Sequence, residues 1–155
     1  MNEEQVLGVI PNVKSGVLGQ KTYNLVATNK GIIVAQLTSS MIKEEAKRVA
    51  EELKEQGADR LKRMGATMTA GINLYKRYFS MPVADIISET KGNFSIGQNQ
   101  VKAIRIKTNN FSDKGKDQHE LTIKWSGGKS KFNFSDISPK VVKDILRQTF
   151  GDIVK

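Results

Sequence analysis

Residues 121–134 read LTIKWSGGKSKFNF. Apolar and polar side chains alternate along both halves of this stretch, which is the period of a strand with one buried face. Gly127 and Gly128 separate the two halves, and glycine readily adopts the backbone angles of a tight turn. The stretch therefore predicts a β-hairpin and, with it, an antiparallel sheet.

Five more strands are predicted from short runs that are β-branched or that alternate apolar and polar residues. They cover residues 6–10, 23–27, 32–37, 94–96 and 102–108. We expect Pro11 and Asn12 to end the first of them. The second and third should form a hairpin around Asn29, Lys30 and Gly31, since Asn and Gly tolerate the positive φ of such turns.

Residues 39–91 have the apolar spacing of helices. Gly57 favours the end of a first helix, and Pro82 favours the start of a short one. The helical pattern between them should break or kink at Gly65 and Gly71, because glycine lowers helix stability.

An amphipathic helix is the last predicted element, at residues 138–154. Ser138 and Pro139 are favourable residues at a helix start, and apolar residues from Val142 to Ile153 form a continuous stripe on one face. Antiparallel strands with helices in separate segments place the chain in the α+β class. A helix of this width can cover the open end of a bent sheet.

The order of seven strands and a C-terminal helix resembles the plan of pleckstrin-homology-like domains, including their bacterial, archaeal and GRAM-like members. Residues 27–33, ATNKGII, are similar to the second hairpin of that family, although Gly31 stands where a basic residue is common. Residues 121–134 resemble its last hairpin, and residues 142–150 its closing helix. The resemblance implies a seven-stranded antiparallel barrel or sandwich with a C-terminal capping helix.

The same resemblance implies a single domain over residues 1–155. Its parts are a barrel (5–38 and 92–137), a helical insertion after the third strand (39–91) and the closing helix (138–154). Headgroup binding in the family commonly uses the loops of the early strands. The matching positions in this sequence are Lys14, Lys21 and Lys30.

Charge indicates the class of partner. The chain has 25 Lys and Arg against 16 Asp and Glu, a net charge of +9, and no basic tail of the kind that binds nucleic acid. A surplus of this size favours anionic partners, namely acidic lipid headgroups, nucleic acid or acidic proteins. The acidic start without a following apolar run indicates no export signal. We therefore expect a cytoplasmic protein, with peripheral association at the inner face of the membrane as an open alternative.

Composition excludes several kinds of chemistry. Without cysteine and with one histidine, the chain cannot form a disulfide, a zinc–thiolate site or a multi-histidine metal site. The chain has no Gly-x-Ser-x-Gly motif of a serine hydrolase that could act with His119. Lysines lie between the carboxylates of Asp113, Asp117 and Glu120, which disfavours cation binding there. Gly128-Lys129-Ser130 lies between two predicted strands, which favours a turn over a phosphate-binding P-loop. We expect no catalytic residue, no metal and no cofactor.

Five cations occupy outward positions on three neighbouring predicted strands. They are Arg105, Lys107, Lys124, Lys129 and Lys131, and we call them the basic face. A Lys or Arg near an anionic membrane contributes about 1 kcal/mol, so together the five predict an anion-binding surface. The alternative is that lysines on an exposed sheet only discourage aggregation.

A second candidate surface combines apolar and basic residues between positions 60 and 79. Its apolar members, which we call the interaction stripe, are Met64, Met68, Ile72, Tyr75 and Phe79. Such a stripe with basic flanks is typical of a helix that lies in a membrane interface or docks on a partner, including a second copy. Packing against the core of the same domain is the other interpretation.

Together these features predict a non-enzymatic binding or scaffold module whose basic face engages acidic lipid headgroups or a protein partner. The alternative is a nucleic-acid-binding protein without sequence preference, driven by net positive charge.

Overall fold

The computed structural model describes residues 3–15, 21–109, 118–135 and 137–155, apart from the side chains of residues 67–72 and 109. The strands are β1 Val6–Ser15, β2 Lys21–Thr28, β3 Gly31–Leu37, β4 Phe94–Gly97, β5 Val101–Asn109, β6 Gln118–Trp125 and β7 Gly128–Phe134. The α-helices are α1 Ser39–Glu55, α2 Arg60–Asn73, α3 Val83–Ser88 and α4 Pro139–Phe150. Short 3₁₀ helices lie at Leu74–Phe79, Gln98–Gln100 and Gly151–Ile153.

All seven strands belong to one sheet, in the order β4-β3-β2-β1-β7-β6-β5, and every neighbouring pair is antiparallel. The last residues extend this sheet, because Val154 bridges to Ile104 in parallel and the Lys155 N–H donates to the Ile104 carbonyl at 2.9 Å. The structure confirms the α+β class: a seven-stranded antiparallel sheet with helices between β3 and β4 and one helix near the end.

One face of the sheet encloses the main core. Its buried members come from both halves of the sheet, for example Ile32 in β3 and Ile123 in β6. The sheet therefore curls so that its two halves face each other across this core. Val142 and Leu146 on α4 complete the core, and neither is exposed to solvent, as the apolar stripe of that helix predicts.

The helical segment between β3 and β4 covers the opposite face of β1–β3. Val9, Val26 and Ile33 point away from the main core and pack with Tyr78 and Ile86 in a second buried cluster. Strands buried on both faces carry nearly continuous apolar runs, which is the pattern of β2 and β3. The outer face of β5–β7, in contrast, carries exposed side chains.

β1 continues past its predicted end at Pro11 and Asn12. Its register with β2 shifts between Ile10 and Val13, which marks a β-bulge. A bulge tolerates proline, which has no N–H to donate, and Asn12 adopts a φ of 54° while its N–H donates to the buried Asn24 Oδ1 at 3.0 Å. The prediction that these residues end the strand was wrong, because they bend it instead.

The sequence predicted a break or a kink at Gly65 and Gly71. α2 does not break there and runs continuously from Arg60 to Asn73. A glycine costs a helix about 1 kcal/mol relative to alanine, which weakens the helix without interrupting it. Packing of α1 along α2 supplies the tertiary support from which most helical stability comes.

Candidate anion-binding site

Three neighbouring strands bring the cations of the basic face together. Directly opposed residues of an antiparallel pair project from the same face of the sheet. Arg105, Thr122 and Lys131 are opposed in this way and form one row across β5, β6 and β7. The flanking rows are Ala103–Lys124–Lys129 and Lys107–Glu120–Asn133. From ordinary strand dimensions, the three rows cover about 10 by 13 Å.

The basic face lines an open concavity of about 740 Å³. All five of its cations contribute to the wall, with Glu120, Thr122 and Lys155 beside them. A hollow of this size suits a compact ligand group. Glu120 is the one carboxylate side chain among the described lining residues, so the wall has a marked positive surplus.

The charges of the basic face are not neutralised within the described part of the chain. All five cations are exposed, and the ion pairs found between described residues involve none of them. Lys124 lies directly opposite Lys129, and like charges at opposed positions destabilise a sheet. The face therefore keeps its charge available for an external anion.

Two residues that line the concavity were not predicted from the sequence. Lys155 reaches the concavity because its segment pairs in parallel with β5, where its carbonyl accepts the Ile106 N–H at 3.0 Å. No local pattern signals such a pairing between segments about 50 residues apart. Thr122 follows from the alternation of β6, and its hydroxyl adds a neutral donor at the centre of the middle row.

The positions implied by the family resemblance are spread over the sheet. Lys14 lies opposite Asn133 across the β1–β7 pair, so it extends the row that ends at β7. Lys21 begins β2, whereas Lys30 lies in the turn beyond the other end of that strand. The structure therefore brings Lys14 close to the basic face but does not gather the three lysines into one site.

The structure divides the interaction stripe. Tyr75 packs against the second core, whereas Met64 and Phe79 are 53% and 55% exposed. Met68 and Ile72 fall in α2 with side chains outside those described. The five residues thus do not form one described surface.

Two other residues of this segment face inward. Leu74 and Tyr78 are buried, because the helix tightens to 3₁₀ geometry at Leu74 and the spacing extrapolated from α2 no longer holds. The Tyr78 hydroxyl donates to Glu89 Oε1 at 2.7 Å, and Arg77 pairs with the other oxygen of Glu89. Burial, followed by the hydrogen bond to Glu89, raises the pKa of Tyr78 to about 12.

His119 lies on the face of β6 opposite the basic face. Its cross-strand partners are Thr108 and Phe134, and its ring centroid lies 5.2 Å from that of Phe134, a member of the main core. Among the residues that the structure describes, no group of three or more His, Cys, Asp or Glu could hold a metal ion. Asp113 and Asp117 lie outside those residues.

The chain matches no protein-family model, and no curated protein matches it. Within the described ranges, no helix is long and apolar enough to cross a membrane.

Proposed function

We propose that the protein is a non-enzymatic binding module whose basic face holds acidic lipid headgroups. The observation that carries the proposal is the set of five exposed cations on three adjacent strands around one concavity. In this proposal the sheet and α4 form a pleckstrin-homology-like scaffold, with α1–α3 as its insertion. The module works in the cytoplasm, peripheral to the inner face of the membrane.

The position of the lysines within the sheet supports this role. Lys124 on β6 has a paired residue on each side, Ala103 on β5 and Lys129 on β7, so it does not protect a free edge, which is a common reason for lysine on strands. Four of the five cations are Lys, a compact charge on a flexible stem. Such side chains suit electrostatic attraction to a headgroup layer, at about 1 kcal/mol for each cation near the surface.

Nucleic acid is the second candidate, and the composition of the face makes it weaker. Ala103, Thr122, Asn133 and Glu120 occupy the outward positions that are not basic. Binding of single strands relies on aromatic side chains on which bases stack, and these rows contain none. An acidic protein segment is a third candidate that charge alone would also attract.

Vesicle co-sedimentation tests the proposal. We expect the protein to sediment with vesicles that contain phosphatidylglycerol or phosphatidylserine and to remain in solution with pure phosphatidylcholine vesicles. Binding should persist when short single-stranded and duplex DNA are added as competitors. Loss of binding on addition of DNA would favour the nucleic-acid alternative, and no binding to acidic vesicles would contradict the proposal.

A matched pair of variants assigns the binding to the basic face. Lys124→Gln/Lys129→Gln/Lys131→Gln removes three charges from the face, and Lys43→Gln/Lys47→Gln/Lys54→Gln removes three exposed charges from α1. Both variants have the same net charge. The first should lose most of its vesicle binding and the second should retain it; equal losses would show that net charge alone is responsible.

A further inference from the structure

The helices α1 and α2 form a hairpin that the sheet does not bury. All 17 residues of α1 are described, and none of them is buried. α1 packs mainly along α2, while the sheet is contacted instead by the 3₁₀ helix that follows α2 and by α3. A pair of helices that is covered on one side only leaves a face for another element.

Apolar side chains mark that uncovered face at the start of α2. Leu61 is 80% exposed and Met64 is 53% exposed, and at a spacing of three residues they lie on the same side of the helix. Single exposed apolar residues are ordinary on protein surfaces. Leu61 and Met64 are both large and lie on the same turn, and α1 beside them has no buried residue. This combination favours a contact surface.

The loop end of the hairpin carries exposed charges of opposite sign on its two helices. α1 holds five of the 16 acidic residues of the chain, and Glu51 and Glu55 are exposed near its end. α2 contains no acidic residue and begins with the exposed Arg60 and Lys62. α1 also carries four basic residues, and Arg48 pairs with two of its five carboxylates. The complementarity is therefore local: the exposed Glu51 and Glu55 lie at the end of α1, and the exposed Arg60 and Lys62 lie at the start of α2.

We propose that the hairpin α1–α2 pairs with the same hairpin of a second copy in a four-helix bundle. A two-fold axis parallel to the hairpin places α1 of each copy antiparallel to α2 of the other, as in up-and-down bundles. Glu51 and Glu55 of one copy then lie beside Arg60 and Lys62 of the other, and Leu61 and Met64 enter the shared core. The proposal rests on the hairpin alone and does not depend on lipid binding.

Sedimentation equilibrium of the full chain tests this pairing. We expect a mass of twice the 17.2 kDa monomer at high protein concentration and dissociation on dilution. Leu61→Glu/Met64→Glu should raise the Kd of the dimer by about tenfold or more, the loss typical of a buried apolar anchor. Both side chains are exposed in the monomer, and Glu at a helix start is favourable, so this variant should stay folded.

Val141→Glu is the matched control, because Val141 is a 44% exposed apolar residue on α4. It should leave the dimer Kd unchanged. A protein that stays monomeric at all concentrations would overturn the proposal, as would a dimer that survives Leu61→Glu/Met64→Glu.

Cross-linking locates the contact. The chain has no cysteine, so Leu61→Cys and Val141→Cys each introduce a single thiol. A short bismaleimide should cross-link two copies of the Leu61→Cys variant and should not cross-link the Val141→Cys variant. The reverse result would place any dimer contact away from the hairpin and would contradict the proposal.

Discussion

At the scale of the residue, Tyr78 attaches the helical segment to the sheet. Its ring is fully buried in the second core and its hydroxyl donates to Glu89. Burial and the neighbouring carboxylate both disfavour the tyrosinate, and they raise the pKa of Tyr78 from its ordinary 10.0 to about 12. The folded protein thus holds this proton at a pH at which the unfolded chain has lost it.

The stability of the fold should therefore fall as the pH rises from about 10 to about 12. In that window the unfolded state binds fewer protons than the folded state, and the free energy of unfolding decreases with pH. Tyr78→Phe should remove this part of the decline and, at neutral pH, should cost about 1.5–3 kcal/mol from the lost hydrogen bond to a charged group. Urea unfolding at a series of pH values measures the free energy of unfolding of both proteins. If it falls equally with pH in the two proteins, Tyr78 is not the group responsible.

Gly31 marks a close approach between two strands. A Cβ at this position would lie 2.1 Å from the Ile96 carbonyl oxygen and 3.1 Å from the Gly97 Cα. Both are backbone atoms of β4, so the clash cannot be relieved by a side-chain movement. This contact explains why glycine occupies this position.

Gly31→Ala should destabilise the protein by about 2 kcal/mol or more, the cost of overpacking against backbone. Gly65→Ala is the control, since a Cβ there meets no atom within 4 Å and should stabilise α2 by about 0.5–1 kcal/mol. Denaturant midpoints of the two variants should move in opposite directions. A Gly31→Ala midpoint at or above that of the unchanged protein would refute the close-approach argument.

At the scale of the element, local patterns predicted the strands and helices wherever one physical period governs a segment. The alternation of β5, β6 and β7 placed the five cations on outward positions, because a side chain in a strand can point to only two faces. The bulge at Pro11 was not predicted because the hydrogen bond that accompanies it joins Asn12 to Asn24, a residue on the neighbouring strand. The 3₁₀ helix at Leu74–Phe79 was not predicted because it has fewer residues per turn than the α-helix before it.

The closing helix offers a direct test at this scale. Leu146 is fully buried in the main core, so Leu146→Ala should lower the free energy of unfolding by about 2–5 kcal/mol through lost contacts and the cavity left behind. Val141→Ala, at an exposed position of the same helix, should change it by less than about 0.5 kcal/mol. Equal effects of the two substitutions in urea unfolding would contradict the packing of α4 described above.

At the scale of the whole molecule, the two candidate surfaces belong to different halves of the sheet. The basic face is the outer side of β5–β7, and the helical segment covers the outer side of β1–β3. Because these halves face each other across the main core, their outer sides point away from each other. A membrane on one side therefore leaves the hairpin α1–α2 accessible to a second copy on the other.

Vesicle binding should be strongly sensitive to salt. The cations of the basic face are exposed, and ions screen such charges over about 10 Å at 0.1 M salt. We expect affinity for acidic vesicles to fall by about tenfold or more when the salt rises from about 0.05 to about 0.2 M. An affinity that is indifferent to salt would point to apolar contact instead of the basic face.

If the proposed function is right, the basic face is the surface that meets acidic lipid. The most direct measurement is paramagnetic broadening of backbone amide signals in the ¹⁵N-labelled protein, with bicelles that contain an acidic lipid and a headgroup spin label. We expect the strongest broadening at Arg105, Thr122, Lys124 and Lys131, which lie at the centre of the three rows. Broadening centred on α1–α2, or spread evenly over the surface, would contradict it.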